Sequence, residues 1–314
     1  MREPFPFPGD PAGLPPAGIP LAPPPPYRPR WWLHVLLFLL TLVSTTFFGA
    51  LFAGDIPEAL AELPLGALVL HPVFVTEGLK FSVPLLVILL AHEMGHYLTC
   101  RRHGLAATPP FFIPAPFGIG TLGAVIRIKE PIRNKRQLLD VGAAGPLAGF
   151  VVLLPFLVWG VAASRVTELP VDRGYLYFGE PVLFKVVARL LHPELAPGND
   201  LLLHPTGFAA WFGLLITALN MLPFAQLDGG HVAYALLGRI HRRIVWPLWF
   251  VLFALGFRWT GWWIWAVIAL VMGVRHPPIW DEDIPLDPRR RRIALLAFLV
   301  FLLCFMPQPV VFVP

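Results

Sequence analysis

Ala91-His92-Glu93-Met94-Gly95-His96 lies near the end of an apolar run, Gly78 to Leu98, that is long enough to cross a bilayer as a helix. Positions four apart share one helix face, so His92 and His96 can hold one zinc ion with Glu93 beside it, the arrangement that metal-assisted hydrolysis requires. Ionisable residues at membrane depth are costly unless they face a polar cavity or a partner, which makes this trio a functional candidate. The same pattern also arises by chance in a helix with two interior histidines, so a second motif must decide.

Composition sets the class of protein around it. Of 314 residues, 56% are hydrophobic and 14% charged, outside the range of ordinary soluble domains. The sequence predicts an all-α polytopic membrane protein with six or seven transmembrane helices and a small membrane-associated β-hairpin or loop. Lys and Arg outnumber Asp and Glu by 24 to 19. The basic residues cluster in loops beside apolar helices, where membrane topology accounts for them, and no nucleic-acid signature is present. Cys100 and Cys304 fall at helix ends expected on opposite sides of the bilayer, so a disulfide is not expected.

In chain order, residues 1–30 are Pro-rich, lack the pattern of a signal peptide, and read as an extended cytoplasmic tail. Trp31 to Ala53 is the first span, with Trp31 and Trp32 suited to the interface. Asp55 to Thr76 holds acids and no Lys or Arg, and completes a segment, 31–77, on the outer side. The zinc helix then runs to Cys100 and ends at Arg101 and Arg102, which directs that end to the cytoplasm. His96 and His92 would lie about 8 to 13 Å below this basic rim.

Thr108-Pro109-Pro110, Pro114, Pro116, Gly118, Gly120 and Gly123 exclude a helix, and the alternating run Ala124 to Lys129 reads as a strand. A cytoplasmic loop would suffice for this composition. Alternatively, Phe111, Phe112, Ile113 and Phe117 dip into the bilayer beside the metal, and the edge from Val125 to Ile128 pairs with an extended peptide. A third span from Leu138 to Ala163 opens on Gly142-Ala143-Ala144-Gly145-Pro146-Leu147-Ala148-Gly149, which lets a neighbouring backbone approach closely, the zinc helix being a candidate for it. Residues 164–204 read as a small outer insertion with an amphipathic piece from Pro181 to His192.

The fourth span, Thr206 to Phe224, runs into Asn220-Met221-Leu222-Pro223-Phe224-Ala225-Gln226-Leu227-Asp228-Gly229-Gly230-His231. Here Pro223 is expected to bend the helix and Asp228 to offer a hard oxygen ligand at the depth of the two histidines. Short spans are expected at Ile244 to Phe257, Trp262 to Val274 and Ile293 to Met306. Three Lys and Arg residues in the tail, seven from Arg101 to Arg136, three around Arg242 and five from Arg275 to Arg292 lie in segments assigned inside, which is 18 of the 24. His34, His71, His192, His204 and His241 read as interfacial or loop residues; His231 and His276 lie closer to the site along the chain, where backing a ligand is the alternative role.

His92-Glu93-Met94-Gly95-His96 on one span together with Asn220-x-x-Pro223-x-x-x-Leu227-Asp228-Gly229 on a later one resembles the site-2 protease family of intramembrane zinc metalloproteases. Gly120-Thr121-Leu122-Gly123-Ala124 and the glycine-rich start of the third span extend the likeness over about Leu79 to Tyr234. The resemblance implies one zinc ion per chain held by His92, His96 and Asp228, with Glu93 as general base and Asn220 orienting substrate or stabilising the tetrahedral intermediate. Three protein ligands leave a position for water, as in catalytic rather than structural sites. The insertion after Ala163 has no room for the PDZ domain that many relatives carry there.

These features divide the chain into a tail (1–30), a first helix with its outer loop (31–77), a catalytic core (78–240) and C-terminal helices (241–314). The expected activity is hydrolysis of peptide bonds in membrane-spanning proteins by a multi-pass protein whose site lies near the cytoplasmic face, with the bilayer and the substrate as its partners. Oligomeric state is not readable from the sequence. Two other readings compete: a transporter using the buried His, Glu and Asp as an ion path, and a non-catalytic scaffold that binds membrane helices.

Overall fold

A computed structural model describes residues 29–53, 63–168, 175–196 and 198–313. The Pro-rich tail up to residue 28 and the outer acids Asp55, Glu58 and Glu62 lie outside the described residues. Among the described residues the architecture is mostly helical with three small two-stranded sheets. Among the described residues, three helices are long and apolar enough to cross a membrane. They are α1 (Trp31–Phe52), α3 (Pro72–Arg102) and α4 (Lys135–Ala162), with the short α2 (Leu65–Leu70) preceding α3.

α3 begins six residues before the apolar run. Pro72 stands at its first turn, where a missing N–H costs nothing, and Nδ1 of His71 accepts from the Val73 N–H. Lys80 and Glu77 pair at 2.6 Å on its early turns, so the two charges there neutralise each other. Its buried residues, among them Phe81, Leu85, Leu89, His92, His96 and Cys100, form one stripe at helical spacing, whereas Val83, Val87, Leu90 and Leu98 face outward. Phe81, Leu85 and Ile88 pack with Leu153 and Leu157 of α4 and with Phe208, Trp211 and Leu214 of α6 (Pro205–Asn220) to form the main core.

After α3, β1 (Phe111–Pro114) and β2 (Thr121–Val125) form an antiparallel hairpin with Phe112 opposite Ala124. The strand expected over 124–129 starts and ends earlier. Beyond Val125 the chain leaves β1 and is held by the 106–108 segment, through Arg127 N–H to Thr108 Oγ1, Lys129 N–H to the Ala106 carbonyl, and an Ala107 to Ile128 bridge. The hairpin lies along α1. His34 Nδ1 donates to the Pro110 carbonyl at 3.0 Å, and Ser44 Oγ donates to the Gly120 carbonyl at 2.6 Å. Gly120 has φ +83°, and a Cβ there would run into the Ser44 backbone. Ten residues separate His34 from Ser44, so the hairpin follows about 15 Å of a helix long enough to cross the membrane.

The 164–204 insertion is more structured than expected. β3 (Arg165–Glu168) pairs with β5 (Asn199–Leu202), and β4 (Tyr175–Phe178) pairs with β6 (Val310–Val313) near the C-terminus; between them lies the amphipathic α5 (Val182–Leu191). The fourth helix ends at Asn220, not at Phe224. Pro223 therefore bends nothing: it sits in the turn that separates α6 from α7 (Asp228–Leu237), because it lacks an N–H and disfavours helix in the residue before it. The remaining helices are α8 (Arg239–Leu255), α9 (Gly261–Val271) and α10 (Pro288–Cys304), each displaced by a few residues from the expected spans. Cys100 and Cys304 are both buried and free.

Candidate metal centre

His92 and His96 stand on the inward stripe of α3 one turn apart, with their Nε2 atoms 3.1 Å from each other. Asp228, the first residue of α7, completes a triangle. Its Oδ2 is 3.2 Å from His92 Nε2 and its Oδ1 is 3.3 Å from His96 Nε2. Among the described residues, this is the group of three His, Cys, Asp or Glu side chains close enough to share an ion. A tetrahedral ion with bonds of about 2.0 to 2.1 Å spaces its ligand atoms by about 3.3 Å. Two imidazoles and a carboxylate at that spacing therefore fit zinc in both geometry and chemistry.

The surrounding chain orients these ligands. Nδ1 of His96 donates to the Val141 carbonyl at 2.8 Å, and since a carbonyl only accepts, the bare Nε2 is turned toward Asp228. The glycine-rich start of α4 makes the space: a Cβ on Gly145 would run into the His96 ring, and one on Gly149 would lie 3.1 Å from His92 Cβ. The small residues expected to admit a neighbouring backbone thus admit the two imidazoles. Asp228 is positioned by the turn before it. Within that turn Ala225 donates its N–H to the Val274 carbonyl at 3.0 Å, and His241 Nε2 donates to the Pro223 carbonyl at 3.0 Å. Ala225 has φ 48°, an uncommon conformation for a residue with a Cβ, and the contacts at its own N–H and at Pro223 hold it there.

Glu93 lies beside the triangle, with Oε1 4.0 Å from His92 Nε2 and its carboxylate facing the backbone of Ile126. Asn220 ends α6 with Nδ2 3.4 Å from His92 Nε2. These groups share a cavity of about 240 Å³ whose other wall is Ala124, Val125, Ile126 and Ile128. All five residues predicted from the sequence, His92, Glu93, His96, Asn220 and Asp228, are therefore brought together, and the strand edge opens onto the same space. A larger cavity of about 580 Å³ between α7, α8 and α10 is lined by apolar side chains apart from His241. Residues not anticipated are Val141 and Val274, which act through backbone carbonyls and leave no side-chain signature. His231 also lines the site, and His276 backs it through a 2.8 Å contact.

A His-Glu-x-x-His helix with an aspartate from another helix beside it, in a bundle whose long helices are apolar enough to cross a membrane, forms a site that could hold a metal ion. The family model of "Peptidase family M50" matches residues 80–248, more than half of the chain, and the chain belongs to this family, that of the site-2 proteases. It is similar to "Probable zinc metalloprotease EGY2, chloroplastic" of Arabidopsis thaliana, 31% identical over 240 residues that cover 75% of this chain and 43% of the relative. The protein of the same name from Oryza sativa subsp. indica is 37% identical over 164 residues, 52% of this chain and 30% of the relative. "Probable zinc metalloprotease EGY1, chloroplastic" of Oryza sativa subsp. japonica is 31% identical over 227 residues, 67% of this chain and 38% of the relative. The chain thus spans less than half the length of these relatives.

Proposed function

We propose that the chain is an intramembrane zinc metalloendopeptidase that hydrolyses peptide bonds of membrane-spanning proteins, the reaction of regulated intramembrane proteolysis. The observation that carries this reading is the convergence of His92, His96 and Asp228 beside Glu93 in a cavity walled by a strand edge. Membership of a peptidase family supports it. The transporter reading has no comparable support, since the buried His, Glu and Asp meet at one point instead of forming a path.

In this reading His92, His96 and Asp228 hold one zinc ion. Bound there, zinc supplies Lewis acidity that lowers the pKa of a water toward neutrality and polarises the scissile carbonyl. Glu93 takes the proton of the attacking water and returns it to the departing amine. Asn220 offers its amide to the substrate carbonyl region, where a hydrogen bond orients the peptide or stabilises the tetrahedral oxygen. A helical substrate hides its carbonyls in hydrogen bonds, so it is cut only after local unwinding. The edge running from Ala124 to Ile128 holds the unwound segment as an added strand, and the hairpin's lie along α1 supports its being at membrane depth.

Seven crossings follow from this fold if α6, α8, α9 and α10 join the three long helices. The parity agrees with one contact: β6, after α10, pairs with β4 of the insertion that follows α4, so both helices end on one side. With Arg101, Arg102 and the basic loops inside, the metal centre lies near the cytoplasmic face. The division into 1–30, 31–77, 78–240 and 241–314 is kept, with the family match over 80–248 supporting the core and with Val274 and His276 of the last segment backing the site.

Metal analysis combined with Glu93→Gln tests the function. About one zinc stays bound per chain while cleavage of membrane proteins, followed by comparative proteomics of cells carrying either form, disappears. Cleavage that survives in the Gln form removes Glu93 from the role of base.

A further inference from the structure

His231 lies three residues beyond Asp228 on α7 and lines the cavity of the candidate metal centre. Its Nδ1 is 2.8 Å from Nε2 of His276, and Nδ1 of His276 is 2.6 Å from the Pro277 carbonyl. The carbonyl only accepts, so Nδ1 of His276 carries a hydrogen. His276 is 4% exposed and stacked on Tyr234 with ring centroids 4.5 Å apart. Burial, aided by the neighbouring His231, His241 and Arg242, holds this imidazole down to about 3, so it is neutral at physiological pH. Its Nε2 is therefore a lone pair, and the hydrogen between the two rings belongs to Nδ1 of His231.

Two consecutive contacts thus fix the tautomer of a ring that neither touches from the cavity side. A neutral His231 carries its proton on Nδ1 and has an unprotonated Nε2, which makes no hydrogen bond among the described residues. The base of the ring is held as well, because a Cβ on Gly142 of α4 would lie 2.6 Å from His231 Cβ. The result is a rigid hydrogen-bond acceptor in a cavity whose remaining wall is a strand edge.

We propose that His231 is a substrate-binding residue whose Nε2 accepts a backbone N–H of the unwound peptide. This rests on the reading that an extended segment adds to the edge at Ala124 to Ile128. Such a segment directs its N–H and C=O groups to both sides, and the edge satisfies only one of them. In a narrow cavity at membrane depth each backbone group left unpaired is costly. Besides Asp228, the wall formed by α6, the turn after it and α7 offers the polar side chains Asn220, Gln226 and His231, and in His231 the acceptor role is enforced by its backing.

The full-length zinc-loaded protein carrying Glu93→Gln is the test system, since a bound peptide stays intact. The probe is a labelled synthetic transmembrane peptide of Leu and Ala with a central Asn-Gly pair. In nanodiscs, His231→Phe and His276→Phe each weaken its binding about tenfold, the loss of about one well-formed hydrogen bond. His276→Gln, whose amide oxygen still accepts from Nδ1, stays within twofold of the parent. Imidazole ¹⁵N spectra give a readout independent of substrate: a ring protonated at Nδ1 and bare at Nε2, absent in His231→Phe and shifted to the other tautomer in His276→Phe. Zinc remains at one per chain throughout. A protonated Nε2 in the parent, unchanged peptide affinity in His231→Phe, or loss of zinc from that variant overturns the proposal while leaving the protease reading intact. If the parent protein fails to bind the probe, the strand-addition reading falls and this inference falls with it.

Discussion

A missing methyl group at Gly145 lets His96 stand against α4 with its Nδ1 on the Val141 carbonyl. Gly145→Ala therefore pushes on a proposed metal ligand without altering any ligating atom. The expected outcome is a tenfold or greater loss of zinc affinity, the size seen when the partners that orient metal-binding histidines are disturbed, measured by competition with a chelator. Far from the site, His192 has acceptors at both ring nitrogens: the Val161 carbonyl at 2.8 Å from Nε2 and the Glu194 carboxylate at 2.9 Å from Nδ1. Only the imidazolium satisfies both, and these bonds, the Val161 carbonyl foremost, raise the His192 pKa above its ordinary value. A raised folded-state value means that this stabilisation is complete below the unfolded value of about 6.5 and is lost as pH rises through the folded one. Amide hydrogen exchange at the end of α5, corrected for intrinsic rates, should accelerate across that interval, and His192→Phe should abolish the pH dependence.

Among the elements, the hairpin separates what local sequence encodes from what packing decides. Pro and Gly from Pro109 to Gly123 exclude a helix, and alternation after Gly123 indicates a strand, but the chain pairs as a strand only to Val125. The 106–108 segment captures the next residues, a contact that no period in the sequence announces. In the same way the apolar run of α3 is legible, whereas its first six residues depend on the His71 cap and on Pro72. The edge reading makes a prediction at this scale. Proline substitutions along Ala124 to Ile128 remove backbone donors one at a time, and at least one should reduce cleavage about tenfold or more with zinc content unchanged. Cleavage that is indifferent to every position in the series would exclude strand addition.

For the whole molecule, the arrangement of ends is the strongest constraint. The pairing of β4 with β6 ties the segment after α4 to the segment after α10, and the basic ends of α3 and α10 lie at the opposite pole, where Arg290 joins Asp140 of α4 at 2.6 Å. Single cysteines test this arrangement against a quiet background, since Cys100 and Cys304 are both fully buried. Arg102→Cys should react with a membrane-impermeant maleimide only from the cytoplasmic side and Leu176→Cys only from the other. Labelling of both from one side would break the seven-crossing scheme.

Legible in the chain of letters alone are the membrane class, the placing of two imidazoles and a carboxylate on one helix, and the paired motif that brings in Asp228 as the proposed third ligand. Each of these follows from hydropathy or from helical spacing, which act over a few residues. Packing in three dimensions decided that Asp228 begins a new helix instead of ending a bent one, and that Gly145 and Gly149 seat the two histidines. It likewise decided that Val274, His241 and His276 back the turn and its histidine. Those outcomes depend on which carbonyl or ring happens to lie across a packed interface. Backbone carbonyls are present at every residue, so nothing in the chain of letters marks the few that matter.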